Sequence, residues 1–483
     1  MRSVVPKDDL LASLVVFLVA LPLCVGVAMA SGVPAELGLV TGIVGGLVAG
    51  ALPGRSLQVS GPAAGLTVLV YEAVHRYGIE ALGVLVLAAG LVQLGLGALR
   101  LGRWLRAVSV AVVHGMLAGI GLVLIAGQVY ALGDATAPGD GLGKLAGLVR
   151  LPGLLDPVAL SVGGATLVVL LLWPRWRRGA RLVPAPLVAV GLAAAVTGVF
   201  GLEVRRVEVR GLLDAVRLPE AADVGRLADV GVLGTVVAFA LIASAESLFS
   251  AAAVERLHDG RRTDYDRELM AQGAGNTVCG LLGALPLTAV IVLSAAGGTP
   301  SGGVRAGART KASRVLHGVW LLLFTVVVPG ALGVIPVAAL AALLVHAGCR
   351  LVPVREVRVL WRGHRGEVVV LAVTAVTIVA GNLFEGVLVG LALAVAKTAW
   401  DASHVQVETE DRGAAGLVVR VLGHATFLRL PKLLDALEAL PRDREVRLEL
   451  GGLRHLDHAC AAALEGWAAK RGQAVMATSS STS

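Results

Sequence analysis

Runs of about twenty apolar residues recur along the first 400 positions of this 483-residue chain. A run of that length is what a helix needs to cross the hydrocarbon core of a bilayer. Full-length runs lie at 11–30, 35–52, 79–99, 107–130, 157–173, 183–200, 231–254, 314–333 and 383–400, with shorter ones at 270–284, 335–349 and 367–381. Two more pieces, Pro62 to Tyr71 and Leu287 to Ala296, are about ten residues long, half a bilayer. Lipid offers the backbone no hydrogen-bond partner, so such runs fold as helices. The expectation is an all-α polytopic membrane protein with fourteen segments, two of them half-length. With 56% hydrophobic and only 16% charged residues, against about 25% charged in soluble domains, a soluble globular fold is excluded. Many of the 62 glycines are interspersed within the apolar runs and suit close helix packing, the GIVGGLVAG stretch (42–50) included.

The charges divide by side. Lys and Arg total 42 against 34 Asp and Glu, a balance that suggests nucleic acid only if the cations form one stripe. They instead punctuate the apolar runs. With a cytoplasmic N-terminus, 24 basic residues fall inside and 8 outside, the other 10 lying in the tail. The positive-inside bias selects that orientation, and Trp104, Trp173, Trp176, Trp361 and Trp400 flank the inner clusters as an aromatic belt does. No nucleic-acid partner is expected. Ala28-Met29-Ala30-Ser31 resembles a signal cleavage site, but the run before it is long and Asp8 and Asp9 spoil a positive n-region. The segment is read as helix one. Cys24, Cys279, Cys349 and Cys460 are scattered singly, without disulfide or metal spacing, and are read as packing residues.

From about Asp401 charge becomes dense. Alternation in LVVRVLG (417–423) and VRLELGGL (446–453), with helix-like Leu430 to Leu440 and His458 to Lys470, predicts a small α/β domain over 401–483 with a disordered polar end. Residues 1–400 form the transmembrane domain.

Gly61-Pro62 and Pro286 each open a ten-residue apolar piece, and proline suits the first turn of a helix. The same prolines also suit kinks in tilted full-length helices. Read as half-helices, the pieces start at membrane depth, with unpaired amides and the positive dipole end exposed. An anion is the natural partner there. Pro22 precedes Pro62 by 40 residues and Glu246 precedes Pro286 by 40, a shared offset of 224. Seven segments precede residue 201 and seven follow 231, so repeat one (about 8–200) and repeat two (about 231–400) are related by inversion. This is the plan of secondary transporters. Glu246 is the one ionisable group deep in its span, with Ser244, Ser247 and Ser250 around it. A charge there is costly, so it carries a proton, ligates a cation such as Na+, or is a neutral packing group. Ser60, Thr67, Thr288 and Ser294 are candidate hydroxyl donors to an anion. His114, Gln128 and His317 carry less weight. No nucleotide loop, catalytic cluster or metal-ligand spacing is present, so the chain is not read as an enzyme and no metal or organic cofactor is expected.

The stretches VALPLCVGVAMASG (19–32), VSGPAAGLTVLV (59–70), AESLFSAAAVERLH, RELMAQGAGNTVCGLLGALPLTAVI (267–291) and AGARTKASRVLHG (306–318) resemble the SulP inorganic anion transporters. The tail resembles that family's STAS domain. The resemblance implies a seven-plus-seven inverted repeat, a core domain moving against a gate domain in the inner membrane, and a homodimer. It also implies a bicarbonate- or sulfate-like substrate held around Ser60, Gly61, Pro62, Ala63, Ala64, Thr288, Ala289 and Val290, by alternating access. Glu246 and Ser250 match the positions that bind Na+ in the cyanobacterial bicarbonate branch; elsewhere the glutamate is linked to H+. Three departures stand out. Leu293 occupies a place where many members carry Arg, the 295–310 loop is longer than usual, and His458, Ala459 and Cys460 follow Leu456-Asp457 where related regulators carry a phosphorylated Ser or Thr. A nucleobase permease of the same architecture, or a passive anion channel, is the alternative.

Overall fold

The computed structural model describes residues 7–52, 58–102, 109–176, 183–208, 211–257, 264–290, 311–413, 416–441 and 444–470. It divides into two compact units, Met1–Gly390 and Leu391–Ser483. Among the described residues helices occupy every apolar run except the tenth, the last of them running on into the second unit. They are α1 (Lys7–Ala30), α2 (Ala35–Val44, continued by a wider π turn over Gly45–Ala49), α3 (Thr67–Tyr77), α4 (Glu80–Ala98) and α5 (Val110–Ala131). Then follow α6 (Pro157–Leu172), α7 (Ala185–Val199), α8 (Val230–Leu257), α9 (Tyr265–Leu281), α10 (Ala312–Val327), α11 (Val337–Leu351), α12 (Val354–Gly363), α13 (Arg365–Ala380) and α14 (Leu383–Ala402). Among the described residues seven helical stretches are long and apolar enough to cross a membrane, one of them running through α11 and α12 together and one through α6 and the turn after it. The fold is thus the helical, two-half arrangement read from the sequence.

Local chemistry sets the helix starts. Pro34, Pro184 and Pro336 stand immediately before α2, α7 and α11 and Pro157 in the first turn of α6, where a missing N–H leaves nothing unsatisfied. Asp156 and Asp264 cap α6 and α9 by accepting from the amides of Ala159 (2.7 Å) and Arg267 (3.2 Å). The tightest helix pair is α4 with α9. Gly83, Gly90 and Gly97 on α4 recur every seven residues, as do Gly273 and Gly280 on α9, so each helix presents a bare stripe every second turn. A Cβ at Gly90 would strike the backbone of Asn276 and Thr277, one at Gly280 the backbone of Leu87, and one at Gly97 would lie 2.6 Å from Met270. Gly45 and Gly46 serve likewise against the Ser60 carbonyl and Gly318, in line with packing glycines in the 42–50 stretch.

Cys24 and Cys279 are buried packing groups; Cys349, also expected to pack, is exposed. It lies beside the equally exposed Arg350 in the last turn of α11.

The second unit is a three-stranded sheet in the order β3 (Val405–Asp411), β4 (Leu417–Ala425), β5 (Val446–Leu456), with α15 (Leu430–Glu438) and α16 (His458–Lys470). β3 runs antiparallel to β4, and β4 parallel to β5 through the α15 crossover. Val419, Val421, Leu433, Leu437, Cys460 and Leu464 form its core. β3 was not foreseen from the sequence: it is an edge strand whose VQVETED pattern buries only Val405 fully. Asp457 caps α16 through the amide of Cys460 at 2.8 Å and also accepts from Phe427 at 2.5 Å, contacts that hold its carboxyl below the ordinary value.

Candidate functional site

The half-length pieces meet as strands. β1 (Val59–Pro62) and β2 (Leu287–Val290) pair antiparallel, with Val59 opposite Val290, Ser60 opposite Ala289, Gly61 opposite Thr288 and Pro62 opposite Leu287. This corrects the expectation that the prolines open the half-helices. Pro62 ends a strand and Pro286 precedes one, positions where the missing N–H is tolerated. Helical structure begins two residues after Pro62, as a 3₁₀ turn at Ala64–Leu66 leading into α3. The Ala63 amide donates to the Pro286 carbonyl at 3.2 Å, extending the junction past the ladder. The strands begin 228 residues apart rather than 224, so the prolines are not equivalent within the two strands. The continuation beyond Val290, with Leu293, Ser294 and the longer loop, lies outside the described residues.

Side chains of a strand alternate between its two faces. Ser60 therefore points to one face of the ribbon and Thr288, opposite Gly61, to the other. The Ser60 face meets α9. Gln272 Nε2 donates to Ser60 Oγ and to Glu268 Oε1, both at 2.9 Å. One turn on, Asn276 clasps the Leu287 peptide unit, accepting from its N–H at 2.7 Å and donating to its carbonyl at 3.1 Å. Asn276 Nδ2 also donates to Gln93 Oε1 at 2.7 Å, and Gln93 Nε2 donates to Ser244 Oγ at 3.1 Å, so α9, α4 and α8 are tied together through buried amides. Thr41 donates to the Leu285 carbonyl at 3.1 Å. Gln93, Gln272 and Asn276 were missed as site residues. Their signal was present: each is an amide in an apolar helix, and Gln272 and Asn276 share a face at i, i+4 spacing.

The other face meets α8. Ser247 Oγ accepts from the Ala289 amide at 3.2 Å. One residue earlier, the Glu246 carboxylate lies against Gly65 in the first turn leading to α3. A Cβ at Gly65 would lie 2.8 Å from Oε1 and 3.0 Å from Oε2. The Gly65 amide donates to this carboxylate, and the Thr288 hydroxyl faces it. Even so, Glu246 Oε2 and Thr288 Oγ1 are buried without a partner at hydrogen-bond geometry among the described residues. Ser250 is half-buried one turn further along α8. Backbone at Gly61, Pro62, Ala63, Ala64, Ala289 and Val290 frames the junction.

The lesser candidates separate from this centre. His114 and Gln128 lie on α5, and His317 is buried on α10 with neither ring nitrogen partnered among the described residues. Among the described residues no group of three His, Cys, Asp or Glu is placed to hold a metal ion.

Helix-interrupting segments that meet between two halves of a helical membrane protein, beside the Glu246 carboxylate, fit the inverted-repeat class of membrane transporters. The sulfate permease family model matches residues 7–374, and the chain belongs to that family. It is a transporter, not an enzyme. The protein is 27% identical over 395 residues to the "Putative sulfate transporter YvdB" of Bacillus subtilis (strain 168), spanning 80% of this chain and 72% of that one. It is 28% identical over 411 residues to the bicarbonate transporter BicA of Synechocystis, spanning 80% and 69%. Among solved structures, the transmembrane domain of a cyanobacterial BicA aligns with TM-score 0.66 at 22% identity over 82% of this chain and 98% of that one. The murine Slc26a9 anion transporter in the inward-facing state aligns with TM-score 0.78 at 16% identity over 98% and 84%. Both structural likenesses speak to the fold.

Proposed function

We propose that the protein is a secondary active transporter of a small inorganic anion, sulfate or bicarbonate, working by alternating access and coupled to H+ or Na+. Relatives named for sulfate and for bicarbonate support the substrate class. The observation that carries the coupling is the seat of Glu246. Its carboxylate occupies the amino-terminal turn of α3, the place where an anion is most favoured. A deprotonated Glu246 therefore competes with a travelling anion for the Gly65 amide and repels it. Neutralising that carboxylate, by a proton or by Na+ held between Glu246 and Ser250, releases the Gly65 amide to the anion, beside the unpartnered Thr288 hydroxyl. One cation then moves with each anion. In this reading Gly61, Ala64, Thr288 and the adjoining backbone of Pro62, Ala63, Ala289 and Val290 receive the anion, and Ser60 belongs to the scaffold.

The orientation proposed is that of the charge count, with the N-terminus and the STAS-like unit cytoplasmic in the inner membrane, and the functional unit is a homodimer. A nucleobase permease needs polar side chains on the tenth segment to read a base edge, and among its described residues that segment offers Thr288 alone. A passive channel on the same fold cannot concentrate its ion. Uptake of labelled sulfate and bicarbonate into proteoliposomes, with and without imposed H+ and Na+ gradients, tests these readings together. Concentrative uptake of either anion driven by one gradient is expected; transport that only equilibrates, or none, overturns the proposal.

A further inference from the structure

A cavity of about 290 Å3 extends from the first turn of α3 to the loop after α5, lined by Thr67 and Tyr71 of α3, Gln128 of α5, Leu340 of α11, and the cations Lys144 and Arg205. Its lining includes no Asp or Glu among the described residues. Lys144 lies in the short helix Gly141–Gly147, capped by Asp140 through the Gly143 amide at 2.7 Å. The Tyr130 hydroxyl fastens that helix to α5 by donating to the Lys144 carbonyl at 2.7 Å. Only 7% of Lys144 is exposed. Its ammonium donates to the Gly139 carbonyl at 3.1 Å and sits 5.1 Å over the Tyr71 ring. Glu72 and Asp140 attract the same ammonium, yet neither lines the cavity. An ammonium has three donors, so a bond to Gly139 leaves capacity for a ligand.

Burying most of a lysine side chain is costly unless the charge finds partners. Here the chain spends that cost at the far end of a cavity whose near end is the start of α3, carrying positive dipole. Low-dielectric walls around charges of one sign focus the field and raise the local concentration of the opposite ion. We propose that this cavity is an antechamber that captures the inorganic anion on its way to the ladder, with Lys144 as its fixed cation and Arg205 as the charge at its rim. The proposal rests on the anion-transport reading above. It adds a second, asymmetric station, since the cavity opens beside the loop after α5 and serves the face of the membrane that bears that loop.

The test uses full-length protein in proteoliposomes, measuring KM and Vmax for labelled bicarbonate and sulfate separately from each face. Lys144→Met keeps the length of the side chain and removes its charge. It is expected to raise KM about tenfold from the Lys144 face, with Vmax within about twofold and KM from the other face unchanged. It should also flatten the salt dependence of uptake, and Lys144→Arg should retain wild-type values. An unchanged KM in Lys144→Met, or an equal rise from both faces, overturns the antechamber. If Lys144→Met does not fold, Arg205→Gln is read in the same one-sided way, with a smaller rise expected and an unchanged KM overturning the proposal. Failure of the wild type to move either anion is a separate result, and it removes the anion reading itself.

Discussion

The two faces of the β1–β2 ribbon are built to opposite standards. Towards α9 the buried side chains form one network, in which Gln272 holds Ser60, Asn276 closes on both groups of Leu287 and Gln93 reaches Ser244 of α8, with Gln272 Oε1 the atom left without a partner among the described residues. Towards α8, a carboxylate oxygen and a hydroxyl lie buried without one among the described residues. Orphaned buried polar atoms are destabilising, so each calls for an explanation, and completion by a ligand is one. In the reading proposed above, the contrast separates the frame of the junction from its anion site, although both faces contain hydroxyls.

The largest expected effect falls on the open face. Glu246→Gln preserves size and the contact with Gly65 while removing the titratable charge. The protein should fold and still exchange anion for anion, yet lose gradient-driven accumulation altogether. Wild-type coupling in that variant would falsify the carrier role. Next comes the closed face. Asn276→Leu orphans the Leu287 amide and carbonyl together, at about 1–3 kcal/mol for each buried group, and should lower the thermal unfolding midpoint in detergent before transport is even measured. Thr288→Val then sharpens the comparison. Its hydroxyl has no partner to lose, so the unfolding midpoint should hold or rise, while KM for the anion increases about five- to tenfold for one lost hydrogen bond of about 1 kcal/mol. A fall in stability as large as that of Asn276→Leu would mean that the open face is not open.

Much of the frame was legible because its signals are local. Span length follows from hydropathy, helix starts from Pro34, Pro157, Pro184 and Pro336, and the importance of Glu246 from its solitude in an apolar run. The junction was harder. Pro62 and Pro286 announce a break in the helix but do not say whether a turn or a strand follows it, because a four-residue strand has no room for a recognisable alternation. The pairing partner lies more than 200 residues away, beyond any local pattern. Gln93, Gln272 and Asn276 went unremarked for a related reason: each amide alone is a common packing group, and only the glycine stripes on α4 and α9, by letting the backbones touch, turn three of them into one network. In the second unit β3 escaped because an exposed edge strand has little apolar pattern to read.

The smallest effect is the most direct test of the division between faces. Ser60 was read from the sequence as an anion ligand on the same footing as Thr288, and the ladder register sets the two on opposite sides. Its oxygen accepts one N–H of Gln272, while the second N–H of that amide is held by Glu268. Ser60→Ala therefore orphans a single donor on a side chain that keeps its other bond, a loss of about 1 kcal/mol that small relaxations of Gln272 reduce further. The unfolding midpoint should fall slightly, by less than in Asn276→Leu, and KM for the anion should stay within about twofold of wild type because nothing on the α8 face has changed. A rise in KM matching that of Thr288→Val would break the comparison, since a ligand felt equally by both hydroxyls must reach both faces of the ribbon.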